Sequence, residues 1–157
     1  MLVGEPFDLA GMERGDVRAG YVEIANTGTL DMIFRAYFLP ESSNTAGFSD
    51  DLQIRVVLNP DGYISDIYAG FSSYGDANTL IFEGAFNNLL FPGLDNESAA
   101  FERPPRPLKA GNVAVYRLET ALPLDTESQW ENVSFKGALI VEGTPAGYQT
   151  PGNVKYY

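Results

Sequence analysis

The residues of this chain that could do chemistry are its carboxylates. Among 157 residues there are 21 Asp plus Glu, while His and Cys are both absent. Without imidazole or thiol there is no Ser-His-Asp triad, no Cys nucleophile, no zinc site of the usual nitrogen or sulfur kind and no Cys-ligated haem or iron-sulfur cluster. Carboxylate acid-base chemistry and oxygen-ligated Ca²⁺ or Mg²⁺ survive that exclusion. The pairs Asp50-Asp51, Asp61 with Asp66, and Asp95 with Glu97 could recruit Ca²⁺ from loops. None has the Asp-x-Asp-x-Asp-Gly spacing that preorganises a site, and they read as solvated turn carboxylates. Glu119 with Asp125, Glu127 and Glu131 holds enough acids for a glycosidase pair. Nothing in the sequence fixes their separation, which the two hydrolytic mechanisms require, and scattered surface charge accounts for them. No catalytic, cofactor-binding or metal-ligating residue is assigned, and no cofactor is expected.

Other features bear on binding. The formal charge is -11, from ten Lys plus Arg against the 21 acids, and there is no basic stretch. Nucleic-acid affinity depends on Lys and Arg displacing counterions from phosphates, so DNA and RNA are not expected partners. Trp130, the single Trp, lies in a polar stretch with Gln129 and Glu131. It is either a sugar-stacking or subunit-contact residue, or a lid folded back on the end of the domain. Nine Tyr exceed what a core of this size needs, which hints at an interface. Two sequons, Asn96-Glu97-Ser98 and Asn132-Val133-Ser134, are usable only in an exported protein. The start, Met1-Leu2-Val3-Gly4-Glu5-Pro6, has neither a basic n-region nor a long apolar run, and no later window resembles a membrane span. An exported form would have lost its leader, or Met1 would be an engineered start.

The elements that position these residues are strands. Residues 17-26 set Val22 and Ile24 against Tyr21 and Glu23 and stop at Asn26-Thr27-Gly28-Thr29. Residues 31-39 are nearly all apolar and read as a central strand covered on both sides. Residues 52-58 alternate into the turn Asn59-Pro60-Asp61-Gly62, and Tyr63-Tyr68 reads as their hairpin partner. Within 71-108, Phe82, Phe86, Leu89, Leu90 and Phe91 fit helical spacing as well as strand spacing, so a short helix or irregular crossover is expected there. Residues 92-107 hold Arg103-Pro104-Pro105-Arg106-Pro107, which requires an exposed loop. Alternation returns at 112-122 and 132-142, and a Gly-, Pro- and Tyr-containing tail follows. Seven or eight short strands predict one all-β domain over 1-143, an antiparallel β-sandwich of jelly-roll type with a short helical or irregular insertion. Residues 144-157 form a weakly ordered or strand-donating tail.

Two blocks carry a resemblance. Phe7-Asp8-Leu9-Ala10-Gly11-Met12-Glu13-Arg14-Gly15-Asp16-Val17, then a strand, then Ile24-Ala25-Asn26-Thr27-Gly28-Thr29-Leu30-Asp31-Met32 resembles the opening of the TasA/camelysin family. Val113-Ala114-Val115-Tyr116-Arg117-Leu118, Gln129-Trp130 and Val133-Ser134-Phe135-Lys136-Gly137-Ala138-Leu139 are more loosely similar to its penultimate strand, loop and final strand. Physically, Gly15-Asp16 suits a tight turn whose carboxylate caps exposed N-H groups. Gly28 suits the positive φ of a hairpin between Ile24 and Met32.

The resemblance implies a secreted jelly-roll subunit of extracellular biofilm-matrix fibres or pilus-like filaments, joined head to tail by donor-strand complementation. Its partner would be itself, with cell-surface or matrix polysaccharide as a second. Only Met1-Phe7 precede the first turn of the family pattern, which is short for a donor, so the Tyr-rich tail is an alternative donor. The metallopeptidase reading attached to camelysin fails here, because there is no His-Glu-x-x-His and no His at all. The chain is therefore read as not an enzyme. One rival is a secreted carbohydrate- or surface-binding β-sandwich module using Trp130, and a second is a Ca²⁺-stabilised exoprotein or carboxylate hydrolase. With pI ≈ 4.2, mutual repulsion holds unassembled subunits apart and salt screens it. Light scattering should show assembly quickening as ionic strength rises and as pH falls toward the pI.

Overall fold

A computed structural model describes residues 2-40, 51-62, 66-86, 89-92, 106-124 and 133-145. Nine strands run in chain order: β1 (Leu2–Met12), β2 (Val17–Ala25), β3 (Met32–Pro40), β4 (Gln53–Leu58), β5 (Ser72–Ser73), β6 (Thr79–Ala85), β7 (Leu90–Pro92), β8 (Asn112–Ala121) and β9 (Val133–Pro145). They form two sheets, ordered β1-β9-β3-β7 and β2-β8-β4-β6, with the short β5 pairing parallel to β8. With β5 set aside, the pairs β1/β9, β2/β8, β3/β7 and β4/β6 are nested, first with last and inward to the middle, and every one is antiparallel. The fold is an all-β sandwich, as the alternating sequence requires.

Alternation decides which face of each strand is buried. Phe34 and Ala36 of β3 and Phe135, Leu139 and Val141 of β9 face Ile54, Val56 and Leu58 of β4 and Ala114, Tyr116 and Leu118 of β8 in one core. Aromatic rings fill it in two places. Phe38 stacks on Phe135 at 5.2 Å, and Phe86 meets both edge-on at 4.7 and 5.2 Å. Farther along, Phe34 packs edge-on against Tyr74 and Tyr116. Each such pair adds about 0.5–1.5 kcal/mol beyond its buried area.

Four expectations need correction. Ile24 and Met32 do not bracket a hairpin, because β2 and β3 lie in different sheets and the segment between them crosses from one to the other. Gly28 is not among the positive-φ glycines; its N-H donates instead to Asn26 Oδ1. The partner of β4 is β6, whereas Asp66–Tyr68 forms a 3-10 turn. The left-handed conformations of Asn59 (φ 49) and Asp61 (φ 52) turn the chain away from a tight return. Finally, 71-108 contains β5, β6 and β7 and no helix among the described residues. Phe82 lies on β6, and Phe86 and Leu89 follow where the chain passes from that sheet to β7 in the other. Phe86 N-H donates to Leu52 O and Leu89 N-H to Phe86 O.

Two smaller differences concern β3 and β9. β3 is internal to its sheet, but its outer face is open, with Leu39 56% exposed. β9 continues through Thr144 and Pro145, which pair with Ile33 and Met32 beyond the expected boundary. The rest of the tail and most of the Pro-rich stretch lie outside the described residues.

Gly137 of β9 shows how tightly this strand packs against its sheet neighbour β3. A Cβ there would overlap the Phe38 ring and lie 2.5 Å from the Leu39 carbonyl oxygen. Overpacking of this kind costs about 1–3 kcal/mol. Gly137→Ala should lower unfolding stability by that amount in urea titration, whereas alanine at the exposed Gly20, which has no neighbour within 4 Å of a Cβ, should change it by less than about 0.5 kcal/mol.

Candidate assembly interface

β1 was not foreseen as a strand, and its pairing explains why. From Val3↔Ile140 to Pro6↔Ala138, β1 advances three residues while β9 advances two; the same happens from Leu9↔Phe135 to Met12↔Val133. Each shift is a bulge with one extra residue on β1, so the period-two signal is broken twice. Gly11, in the second bulge, has φ +61. Pro6 lacks the N-H a central strand would need, which fits an edge position. β1 is that edge, and its one strand partner among the described residues is β9.

The corner after β1 is held firmly. Gly15 (φ +87) donates its N-H to Leu122 O at 2.6 Å, and Leu122 N-H donates to Asp16 O. Asp16 Oδ2 accepts from Glu13 N-H at 2.8 Å, and Asp16 N-H returns a bond to Glu13 O. The Gly-Asp turn and its carboxylate cap thus stand as the sequence suggested. They fix the corner to the end of β8 in the other sheet. β1 is therefore a terminal strand with an anchored root, a glycine pivot and a twice-interrupted ladder.

Beside β1, the outer face of its sheet carries a polar triad. Arg35 of β3 lies opposite Glu142 of β9 and donates to Glu142 Oε2 from Nε at 2.9 Å and from Nη2 at 2.7 Å. Tyr37 donates its hydroxyl to Glu142 Oε1 at 3.0 Å. The Arg35 guanidinium also sits 5.5 Å from the Tyr37 ring centroid. The Arg35 hydrogen bonds, then that of Tyr37, hold the Glu142 carboxyl below its ordinary range. The bond to Glu142 keeps the Tyr37 phenol protonated above its usual range, aided by partial desolvation. Alternation had placed Arg35 and Tyr37 on one face of β3 and Glu142 on one face of β9. Strand register, which brings them together, carries no sequence signal.

Of the acids singled out in the sequence, the described ones, Asp51, Asp61 and Glu119, are not assembled into a site. Asp51 is exposed. Asp61 is exposed and linked to Asn78, which accepts from its N-H and donates to its Oδ1. Glu119 is paired with Arg117 at 2.8 Å on the outer face of β8, in register with Arg55, which approaches Glu83 at 4.0 Å. That row is a cross-strand charge ladder. Asp50, Asp95, Glu97, Asp125, Glu127, Trp130, Glu131 and both sequon asparagines lie outside the described residues. Among the described residues no group of three or more acids could hold a metal ion, and no helix is long and apolar enough to cross a membrane.

Because folding lowers the Glu142 pKa, its contribution is present above the unfolded carboxylate range, near pH 4.3, and is lost as pH falls through the folded value. The Tyr37 contribution runs the other way, present below about pH 10 and lost as pH rises through its raised folded value. Thermal melts from pH 2 to 7 should therefore show a smaller acid-side loss for Glu142→Gln than for the parent, converging at the acid end. Compared with family models, with curated proteins and with solved structures, the chain matches none.

Proposed function

We propose that this chain is a secreted, non-enzymatic structural subunit with a jelly-roll core, which polymerises head to tail into extracellular filaments by exchanging a terminal strand. The observation that carries the reading is β1, an N-terminal strand of eleven residues at a sheet edge, held along its length by β9 alone among described strands. Its two bulges leave residues out of the ladder, which lowers the cost of removing it. The anchored Gly15-Asp16 corner keeps its root on the parent subunit when it leaves. A vacated β9 edge then accepts the β1 of a neighbour. The donor gains main-chain hydrogen bonds and apolar burial, and the head-to-tail contact does not close on itself.

Two further features support the proposal. The nested pairing β1/β9, β2/β8, β3/β7, β4/β6 is the order expected when one long hairpin is rolled into two sheets, which supports the jelly-roll reading. The Asn-Thr-Gly-Thr segment, part of the resemblance to the TasA/camelysin family, forms the turn between β2 and β3. Asn26 is buried and bonds across the turn to Gly28 N-H and Leu30 O. The eleven residues of β1 are also a fuller donor than the seven that precede the first motif.

Negative-stain microscopy tests the proposal. The full chain should form filaments over days at high concentration. A chain lacking residues 1-12 should not, and it should bind an added peptide of residues 1-12. Filaments from the truncated chain, or a full chain that stays monomeric, would refute it. Glycan binding abolished by Trp130→Ala would favour the carbohydrate-binding module instead.

A further inference from the structure

Spontaneous main-chain rearrangement centres on Asp-Gly and Asn-Gly bonds, because glycine, having no Cβ, leaves its amide nitrogen unshielded and its backbone free to turn. This chain has no Asn-Gly and a single Asp-Gly, Asp61-Gly62. In the reaction the Gly62 nitrogen loses its proton and attacks Asp61 Cγ, the Cγ-OH bond breaks, and water leaves a five-membered succinimide. One water molecule then opens the ring at either carbonyl. One product is the original Asp, and the other is isoaspartate, in which the main chain runs through the former side-chain carboxyl. The only co-reactant is water.

The ring closes only when the Gly62 nitrogen lies on the Cβ side of the Asp61 Cα-C bond. Asp61 has φ 52 and ψ 20. At that ψ the Gly62 nitrogen nearly eclipses the Asp61 nitrogen, more than a right angle away from Cβ, so Cγ cannot reach it. The loop before β6 holds this conformation from outside. Asp61 N-H donates to Asn78 Oδ1 at 3.0 Å, and Asn78 Nδ2 donates more loosely to Asp61 Oδ1 at 3.4 Å. Asn78 is itself left-handed, at φ 57, and its N-H donates to Asn59 O at 3.0 Å. Asn59 Nδ2 donates to Gly75 O and Thr79 Oγ1 to Asp76 O, which tie the two loops together. We propose that Asp61-Gly62 is a latent isoaspartate site that the Asn78 clamp keeps closed, so that the modification proceeds only when the turn opens. Isoaspartate adds a methylene to the main chain and displaces the carboxylate from the place where Asn78 holds it. The clamp then cannot re-form, and the modification marks turns that have opened. The inference rests on this turn alone, whatever the chain assembles into.

Isoaspartate at position 61, located by electron-transfer fragmentation in a mass spectrometer after incubation at neutral pH, tests the proposal in the full chain. A capped peptide of residues 58-64 should accumulate it at least about tenfold faster than the folded chain, and the chain unfolded in urea should match the peptide. Asn78→Ala, shown by circular dichroism to be folded, should raise the folded-chain rate about two- to tenfold, the range that one or two exposed hydrogen bonds supply. Asp61→Asn keeps an acceptor for Asn78 and reacts through the same ring with loss of ammonia. Its deamidation should be slowed to the same degree in the folded chain relative to its own peptide, a comparison that does not depend on the Asn78 variant folding. A folded chain that reacts as fast as its peptide, with Asp or Asn at 61, would overturn the proposal. So would a folded Asn78→Ala chain that reacts no faster than the parent.

Discussion

The hydrogen bonds of Asn26 hold the fold at the place where the chain leaves β2 in one sheet for β3 in the other. Its N-H donates to Asn112 O and its carbonyl accepts from Gly111. Its side-chain amide donates to Leu30 O and Leu108 O, and its Oδ1 accepts from Gly28. Leaving one such buried group unpaired costs about 1–3 kcal/mol. The residue is 1% exposed, so water does not compensate. Through it the end of β2, the start of β3 and the approach to β8 share one fixed geometry. Met32 and Leu108 exchange two backbone bonds beside it, and Asp31 accepts from Ala110. The crossing sets β3 beside β9 in one sheet and leaves β2 beside β8 in the other.

Once that crossing is fixed, the ends of the chain have a determined place. Nesting pairs the first strand with the last, so β1 must take an edge next to β9. The middle of the chain forms the opposite edges, and the core closes around Phe38, Phe86 and Phe135. Stability is concentrated in β8, whose inner and outer residues from Val113 to Tyr116 are all buried. In β1 two bulges interrupt the pairing. Those interruptions are the physical basis for proposing exchange of β1, since interrupted hydrogen bonding lowers the cost of opening a segment.

Sequence alternation revealed β2, β4, β8 and β9, and a nearly continuous apolar run revealed β3. Periodicity missed β1, whose bulges and Pro6 break the alternation, and it took Phe82, Phe86 and Leu89 for possible helix where the chain instead passes from β6 to β7 in the other sheet. The Gly15-Asp16 turn was legible, being local. The sheet to which each strand belongs was not, and so a crossing was taken for a hairpin at Asn26-Thr27-Gly28-Thr29. The Arg35-Tyr37-Glu142 triad was invisible for the same reason. It depends on partners more than a hundred residues apart meeting in one register, and no local pattern encodes that.

The central claim is that β1 is the exchangeable strand of a self-assembling subunit, and amide hydrogen exchange read by mass spectrometry tests it most directly. In the monomer, peptides from β1 and the β9 amides that face it should exchange at least a hundredfold faster than those of β8. After assembly the same peptides should become as protected as β8. Protection of β1 equal to that of β8 in the monomer, or no gain of protection in β1 and β9 on assembly, would contradict the account.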